Sequence, residues 1–375
     1  VTKLCPVILL PKYSGNSVDI NEVFKRLQRY ATQMAVISNG KYSELVVVIS
    51  SSRLQDLQIN ESTFPNLRIF SLQNNLLGTL GFSILSTFKL KKFKIKPTIL
   101  ISGDPWRGFI SCLFVSFISQ PRHRIQFQIH GELLPKGSNL FLMILRRSIY
   151  SLAINYSTSI RVVSPHLRET LVSRNNNLRS KIVVSPVPVQ ISHFPVQLKK
   201  VKGLNIGFIG RLHPERGTDL CLAIINKMAS QNLNFRISII GDGPESSKLR
   251  SNIAMNELQK FVDFEGRIPN SELVEFYRKL NCLLVCAPQE GYGLSIREAI
   301  IQGVFVIALE NKGTREAREL FPESVYLFKT VDEAAALMEK FRDKRLSKET
   351  ANYNQERQLK VDQESITNLA KSWIY

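Results

Sequence analysis

The stretch Leu204–Asn232, LNIGFIGRLHPERGTDLCLAIINKMASQN, decides how the chain is read. It opens on a short apolar run at Asn205–Ile209, breaks at Gly210, and passes a second glycine, Gly217, into apolar residues at helical spacing. A strand, a glycine turn and a helix in that order are one half of a parallel βαβ unit. Outward from it the same alternation recurs. Strands are expected at Val7–Leu10, Leu45–Ser50, Leu67–Phe70, Thr98–Ser102, Ile125–Ile129, Ile160–Val163 and Ile182–Val184. Beyond the quoted stretch they fall at Arg236–Ile240, Val262–Phe264, Cys282–Cys286 and Val304–Ala308. The fold class is therefore α/β, with two Rossmann-like, doubly wound domains expected to face a cleft.

The chain has 375 residues, enough for two cores. Three prolines in SPVPVQISHFPVQLKKVKG, from Ser185 to Gly203, mark the expected boundary. The domains are read as 1–195 and 196–352, followed by a helix over 353–375 that returns to the first domain. Ile366, Leu369 and Trp373 give that last segment helical spacing.

Hydrophobic residues make up 44% and charged residues 22%, the balance of a globular protein and not of a disordered one. The longest apolar run, FISCLFVSFIS at Phe109–Ser119, is short of the roughly 20 residues a membrane-spanning helix needs. The opening VTKLCPVILLP shows no secretory pattern, so a cytoplasmic location is expected, including the inner face of the membrane. Five scattered cysteines suit free thiols. Cys282 and Cys286 are four residues apart on an expected strand, too far for one tetrahedral ion, and no zinc-type histidine spacing occurs.

The net charge of +19 is uneven. Residues 1–200 carry 26 Lys and Arg against 8 Asp and Glu, a formal +18, whereas residues 201–375 carry 24 against 23, a formal +1. An anionic partner is expected for the first half. FSILSTFKLKKFKIKPT, Phe82–Thr98, interleaves five lysines with Phe88, Leu90, Phe93 and Ile95, which suits peripheral contact with an anionic membrane; a solvated basic face is the alternative. Nucleic-acid binding would also use such charge, but no recognition signature accompanies it, so no specific nucleic-acid binding is expected.

Four glycine-punctuated strand ends carry the chemistry: NIGFIGRLHPERGTD, ISIIGDGPE, VDFEGRIPNSELVEFY and CAPQEGYGLSIREA. In an open α/β sheet ligands bind beyond the carboxyl ends of the strands. In this order and spacing the four resemble the second domain of glycosyltransferase family 4, within the two-domain glycosyltransferase B (GT-B) fold; the likeness is specific over about Asn205–Leu309 and looser before it. It implies a retaining glycosyltransferase that moves a sugar from a nucleotide-sugar donor, UDP- or GDP-linked, with no metal and no other cofactor. The implied acceptor is a glycan or a lipid-linked molecule of the cell envelope or of glycolipids; a small soluble acceptor is the alternative. A hydrolysing epimerase or a phosphorylase would share the fold, and the E-x7-E pattern together with GRLHPERG favours the transferase.

The resemblance carries over to single residues. Gly210 with Arg211 and Arg216 would meet the diphosphate; the family usually has Lys where Arg216 stands, so a fork replaces a point charge. Gly241 belongs to the G-x-G-P turn, where glycine allows close backbone approach, and Asp242 beside it fits a simple turn equally well. The nucleobase would lie against Arg267 and Ile268. Glu290 would reach the donor sugar and steady the charge developing at the anomeric carbon, and Glu298 would hold the ribose. Gly291, Tyr292, Gly293 and Leu294 between them would offer backbone N–H groups at a helix start. SIRE, Ser295–Glu298, also reads as a capping box, and for Glu298 both readings stay open. In the first half Gly15 would lie near the diphosphate, and His130, directly after a strand, near the anomeric centre.

Overall fold

A computed structural model describes residues 3–11, 20–50, 64–72, 78–102, 104, 106–119, 123–131, 140–189, 195–199 and 201–375. The chain divides into two compact units: Val1–Pro188 with Gln363–Tyr375, and Val189–Asp362. These breaks fall seven residues before the boundary expected at 195 and ten after the one expected at 352.

The first unit is built on seven parallel strands: β1 Lys3–Leu10, β2 Leu45–Ser50, β3 Leu67–Leu72, β4 Ile95–Ser102, β5 Arg124–Ile129, β6 Ser159–Val162 and β7 Ile182–Val184. Their order is β3-β2-β1-β4-β5-β6-β7. Central strands such as LVVVIS of β2 are buried throughout, as a parallel sheet covered on both faces requires. On one face lies α1, Ile20–Ile37, whose Ile20, Phe24, Leu27, Tyr30, Ala31 and Met34 recur at helical spacing and are buried. On the other lie α2 Gly78–Lys92, α3 Arg107–Ile118, α4 Leu140–Tyr156 and α5 Pro165–Arg174, which share one apolar core.

The second unit has six parallel strands: β8 Asn205–Ile209, β9 Arg236–Ile240, β10 Val262–Gly266, β11 Cys282–Val285, β12 Phe305–Leu309 and β13 Val325–Phe328, ordered β10-β9-β8-β11-β12-β13. Helices α6 Thr218–Ser230, α7 Ser246–Met255 and α11 Val331–Lys340 cover one face; α8 Asn270–Tyr277, α9 Leu294–Ile301 and α10 Lys312–Leu320 cover the other. Strand order reverses between β8 and β11, so the crevice at their carboxyl ends is the topological switch point. The edge strand β13 is missing from the sequence reading because VYLF is only four residues long and carries no glycine turn.

The closing helix α12 runs from Lys348 to Ile374 and begins earlier than expected because its first half has its own core to fill. Ala351 is fully buried there, and Asn354 donates to Ser324 Oγ at 2.8 Å. In the first unit Leu369, Ala370 and Trp373 join the core beneath α1. Trp373 meets Tyr30 edge to face at 5.7 Å and donates its indole N–H to Gln126 at 2.8 Å. All five cysteines are buried free thiols.

The basic stretch Phe82–Thr98 is not one amphipathic segment. Helix α2 ends at Lys92, the chain reverses through Phe93 and Lys94 (φ 54°), and β4 begins at Ile95. Leu90 and Ile95 therefore point into the core, and Phe93 packs on Phe70 at 4.8 Å.

Candidate active site

At the carboxyl ends of β8, β9 and β10 three turns are laced together through the backbone. Gly210 N donates to Ile240 O at 3.0 Å, Leu212 N to Asp242 O at 3.0 Å, and Gly241 N to Gly266 O at 2.7 Å. Gly241 has φ 126°, and a Cβ there would collide with the Gly210 carbonyl, so this lacing admits only glycine. Asp242 is taken up by its own turn, accepting from Gly243 N at 2.7 Å and Ser246 Oγ at 2.8 Å. The Ser246 hydroxyl and then that N–H hold its carboxyl below the usual range.

Beyond Gly210 the chain makes a tight helical turn at Pro214–Arg216 before α6. It aims Arg216 at the loop after β11, where Arg216 Nη1 donates to Glu290 Oε2 at 3.2 Å. The other oxygen of Glu290 accepts from Gly293 N at 3.2 Å. The Glu290 side chain is only 9% exposed, and Gly313 at the start of α10 lies so close to its carbonyl that a Cβ would collide. Sequence-distant residues thus converge: Gly210, Arg216, Gly241, Glu290 and Gly293 form one floor. Arg211 stands aside from it, exposed and paired with Glu215 at 3.0 Å. Arg267 is exposed after the β10 turn, and the half-buried Ile268 packs on the core below α8 and α9.

One expectation for the loop needs correction: the Gly293 N–H is not open to a ligand, because Glu290 accepts it. The Tyr292 side chain is buried, with its ring and hydroxyl turned to the protein interior.

The capping-box reading of Glu298 is also overturned. Helix α9 begins at Leu294 with Gly293 (φ 73°) as its cap and no side-chain capping bond, so Ser295 already lies inside the first turn. Instead Glu298 Oε2 accepts from the buried Tyr277 hydroxyl of α8 at 3.0 Å. Burial pushes the Glu298 carboxyl up to about 7, only partly offset by that bond. It also pushes the Tyr277 phenol well above its ordinary value.

The sequence reading missed the support beneath this loop. Arg297 is 1% exposed, stacks its guanidinium on the Tyr292 ring at 3.9 Å, and donates to Tyr292 O at 3.2 Å and Gln358 Oε1 at 3.1 Å. Gln358 in turn donates to the Tyr292 hydroxyl at 3.0 Å and to Asp362 at 2.7 Å, and Asp362 accepts from Val189 N at 3.1 Å. A signal existed: Arg297 stands three and four residues before Ile300 and Ile301, on the buried face of α9.

His130 belongs to the first unit. It follows β5 as an exposed residue. Arg161 is buried and bonded to Ser185 O, Tyr30 and Pro186 O. Gly15 lies outside the described residues.

Residues 190–358 match the family described as "Glycosyl transferases group 1", and the chain resembles the family 4 glycosyltransferases in the segments quoted above. A 2-deoxystreptamine glucosyltransferase of Streptomyces kanamyceticus is 30% identical over 103 residues, 28% of this chain and 27% of the relative. The phosphatidylinositol N-acetylglucosaminyltransferase gpi3 subunit of Schizosaccharomyces pombe is 28% identical over 156 residues, 41% of this chain and 34% of the relative. The chain thus spans about a quarter to a third of these curated relatives. Among solved structures, Anabaena Alr3699/HepE in complex with UDP-glucose superposes with a TM-score of 0.69 at 14% identity, covering 98% of this chain and 99% of that one. The shared fold is GT-B, two Rossmann-like domains.

Proposed function

We propose that this chain, resembling the group 1 glycosyl transferases, moves a sugar from a nucleotide-sugar donor to an acceptor hydroxyl with retention of configuration and without a metal. The reading is carried by the convergence of Arg216 and Glu290 on the crevice at the switch point. A guanidinium there can neutralise the departing diphosphate through two parallel hydrogen bonds, the work a divalent ion does elsewhere. Glu290, held by Arg216 and Gly293, sets a fixed negative charge where positive charge develops on the sugar carbon; its role is electrostatic. The leaving phosphate takes the acceptor's proton on the same face. Uracil is the first candidate base, supported by the UDP-glucose complex of the Anabaena neighbour. The acceptor is a glycan or a lipid-linked molecule. His130 and Gly15 keep the roles that the resemblance gives them.

Glu298 is proposed to accept from the ribose hydroxyls. Tyr277 fixes Oε2, and Oε1 makes no hydrogen bond among the described residues. The folded-state pKa is raised above the unfolded value, so the folded chain holds a proton there that the unfolded chain has lost, and stability falls as pH rises from about 4.5 to about 7. Nucleotide binding needs the carboxylate and runs the opposite way: UDP affinity should rise about tenfold between about pH 6 and pH 8, with Glu298→Gln flattening the profile. The test is calorimetry with UDP, GDP, ADP and their sugars, in chelator. Binding of one nucleotide with that pH profile supports the assignment. If none binds, glycosyl transfer is rejected; if binding needs a divalent ion, metal independence is.

A further inference from the structure

Helices α2, α3 and α4 cover one face of the first sheet, with α2 packed on α3, and their outer surface is unusual in two independent ways. First, eleven of the seventeen exposed large apolar side chains among the described residues fall within residues 80–156. Leu85 and Phe88 of α2, Phe114 and Phe117 of α3, and Ile144 and Leu145 of α4 are all in this set, with Phe117 75% exposed. Solubility alone would not gather such residues, and a concentration of exposed apolar side chains on one face marks an interaction site. Second, residues 78–156 contain eleven Lys and Arg and only two acids, Asp104 and Glu132. Asp104 is turned onto the backbone N–H groups of Trp106, Arg107 and Gly108 at the start of α3.

We propose that the α2–α3–α4 face docks on an anionic lipid leaflet. Apolar side chains enter the acyl boundary while Lys89, Lys91, Lys92, Arg107 and Arg147 meet the headgroup phosphates. A protein partner would need a matching surface that is both apolar and acidic; a leaflet of acidic phospholipid supplies both layers at once. No helix among the described residues is long and apolar enough to cross a membrane, so the contact is peripheral. At the rim, between the C-terminal ends of α2 and α3, a cavity of about 450 Å3 is lined by Lys91, Lys96, His123 and Ile118. It sits at the amino ends of β4 and β5, opposite the strand ends that carry ligands in this fold class, and its lysines suit a headgroup phosphate. The face stands on its own observations and does not depend on the donor chemistry.

The test is co-sedimentation of the full chain with vesicles of phosphatidylcholine alone or with about a third phosphatidylglycerol. Binding to the anionic vesicles only, weakening with salt, is expected. Phe114→Ser with Phe117→Ser should lower partitioning at least tenfold, since each exposed phenylalanine would lose its burial in lipid. Lys91→Glu with Lys92→Glu should lower it by a similar factor. UDP binding by these variants should be unchanged, which separates this proposal from the functional one. Absence of vesicle binding, equal binding to neutral vesicles, or full binding by both variants overturns it. So does a phenylalanine variant that changes only the oligomeric state, which would make the face a contact between copies.

Discussion

Replacing Glu290 with glutamine should lower the turnover of sugar transfer by about two to three orders of magnitude while UDP affinity changes less than tenfold. The amide is nearly isosteric but cannot do what the carboxylate does. It carries no charge to set against the developing positive centre, and loss of one such preorganised electrostatic contact typically costs ~10²–10³ in rate. It also has a single acceptor oxygen, whereas Glu290 accepts from Arg216 on one side and from Gly293 N on the other. UDP without its sugar does not meet the charge at the anomeric carbon, so nucleotide binding serves as the control. Turnover kept within tenfold of the parent would remove Glu290 from the chemistry.

Arg297→Leu should destabilise the second unit and loosen its donor loop together. Removing the guanidinium leaves Tyr292 O and Gln358 Oε1 without a donor in a buried setting, at about 1–3 kcal/mol each, and forfeits the stacking on Tyr292. About 3 kcal/mol is a fair sum, which for a unit of this size lowers Tm by roughly 6–12 °C. Since the same guanidinium holds the Tyr292 carbonyl in the loop 290–293, UDP affinity should fall as well. Arg297→Lys should restore little, because a point donor cannot reach both acceptors in the geometry of a fork. A variant with unchanged Tm and affinity would show the network to be idle.

Much of this was legible in advance, for reasons that can be named. The strand–glycine–helix alternation is a local pattern, set by backbone sterics and apolar periodicity, and twelve of the thirteen strands among the described residues could be read from it. The turns at Gly210, Gly241 and Gly293 were legible because positive φ and close backbone approach leave a residue-type signature. Glu290 was legible by its place in a spaced pattern.

What stayed hidden depends on pairing between distant segments. The sequence offered Glu298 a cap three residues before it. The fold instead started the helix one residue ahead of Ser295 and brought Tyr277, 21 positions away, to the carboxylate. The pKa of about 7 follows from that burial and from nothing local. Arg297 was passed over because a charged residue is read as solvated until Tyr292 and Gln358 are placed around it. The lysine-rich stretch looked amphipathic until the chain reversed at Lys94, sent Leu90 and Ile95 inward and left the exposed apolar surface to three helices jointly.

By itself, then, the sequence determined the α/β alternation, the doubly wound class, the glycine turns and the E-x7-E spacing, because each is a property of a few consecutive residues. Only the tertiary structure decided which carboxylate oxygen is occupied, which arginine reaches Glu290 and which stays outside, and which apolar side chains remain uncovered. Those outcomes are set by burial and by hydrogen-bond partners dozens of residues apart, and neither exists until the sheets are assembled.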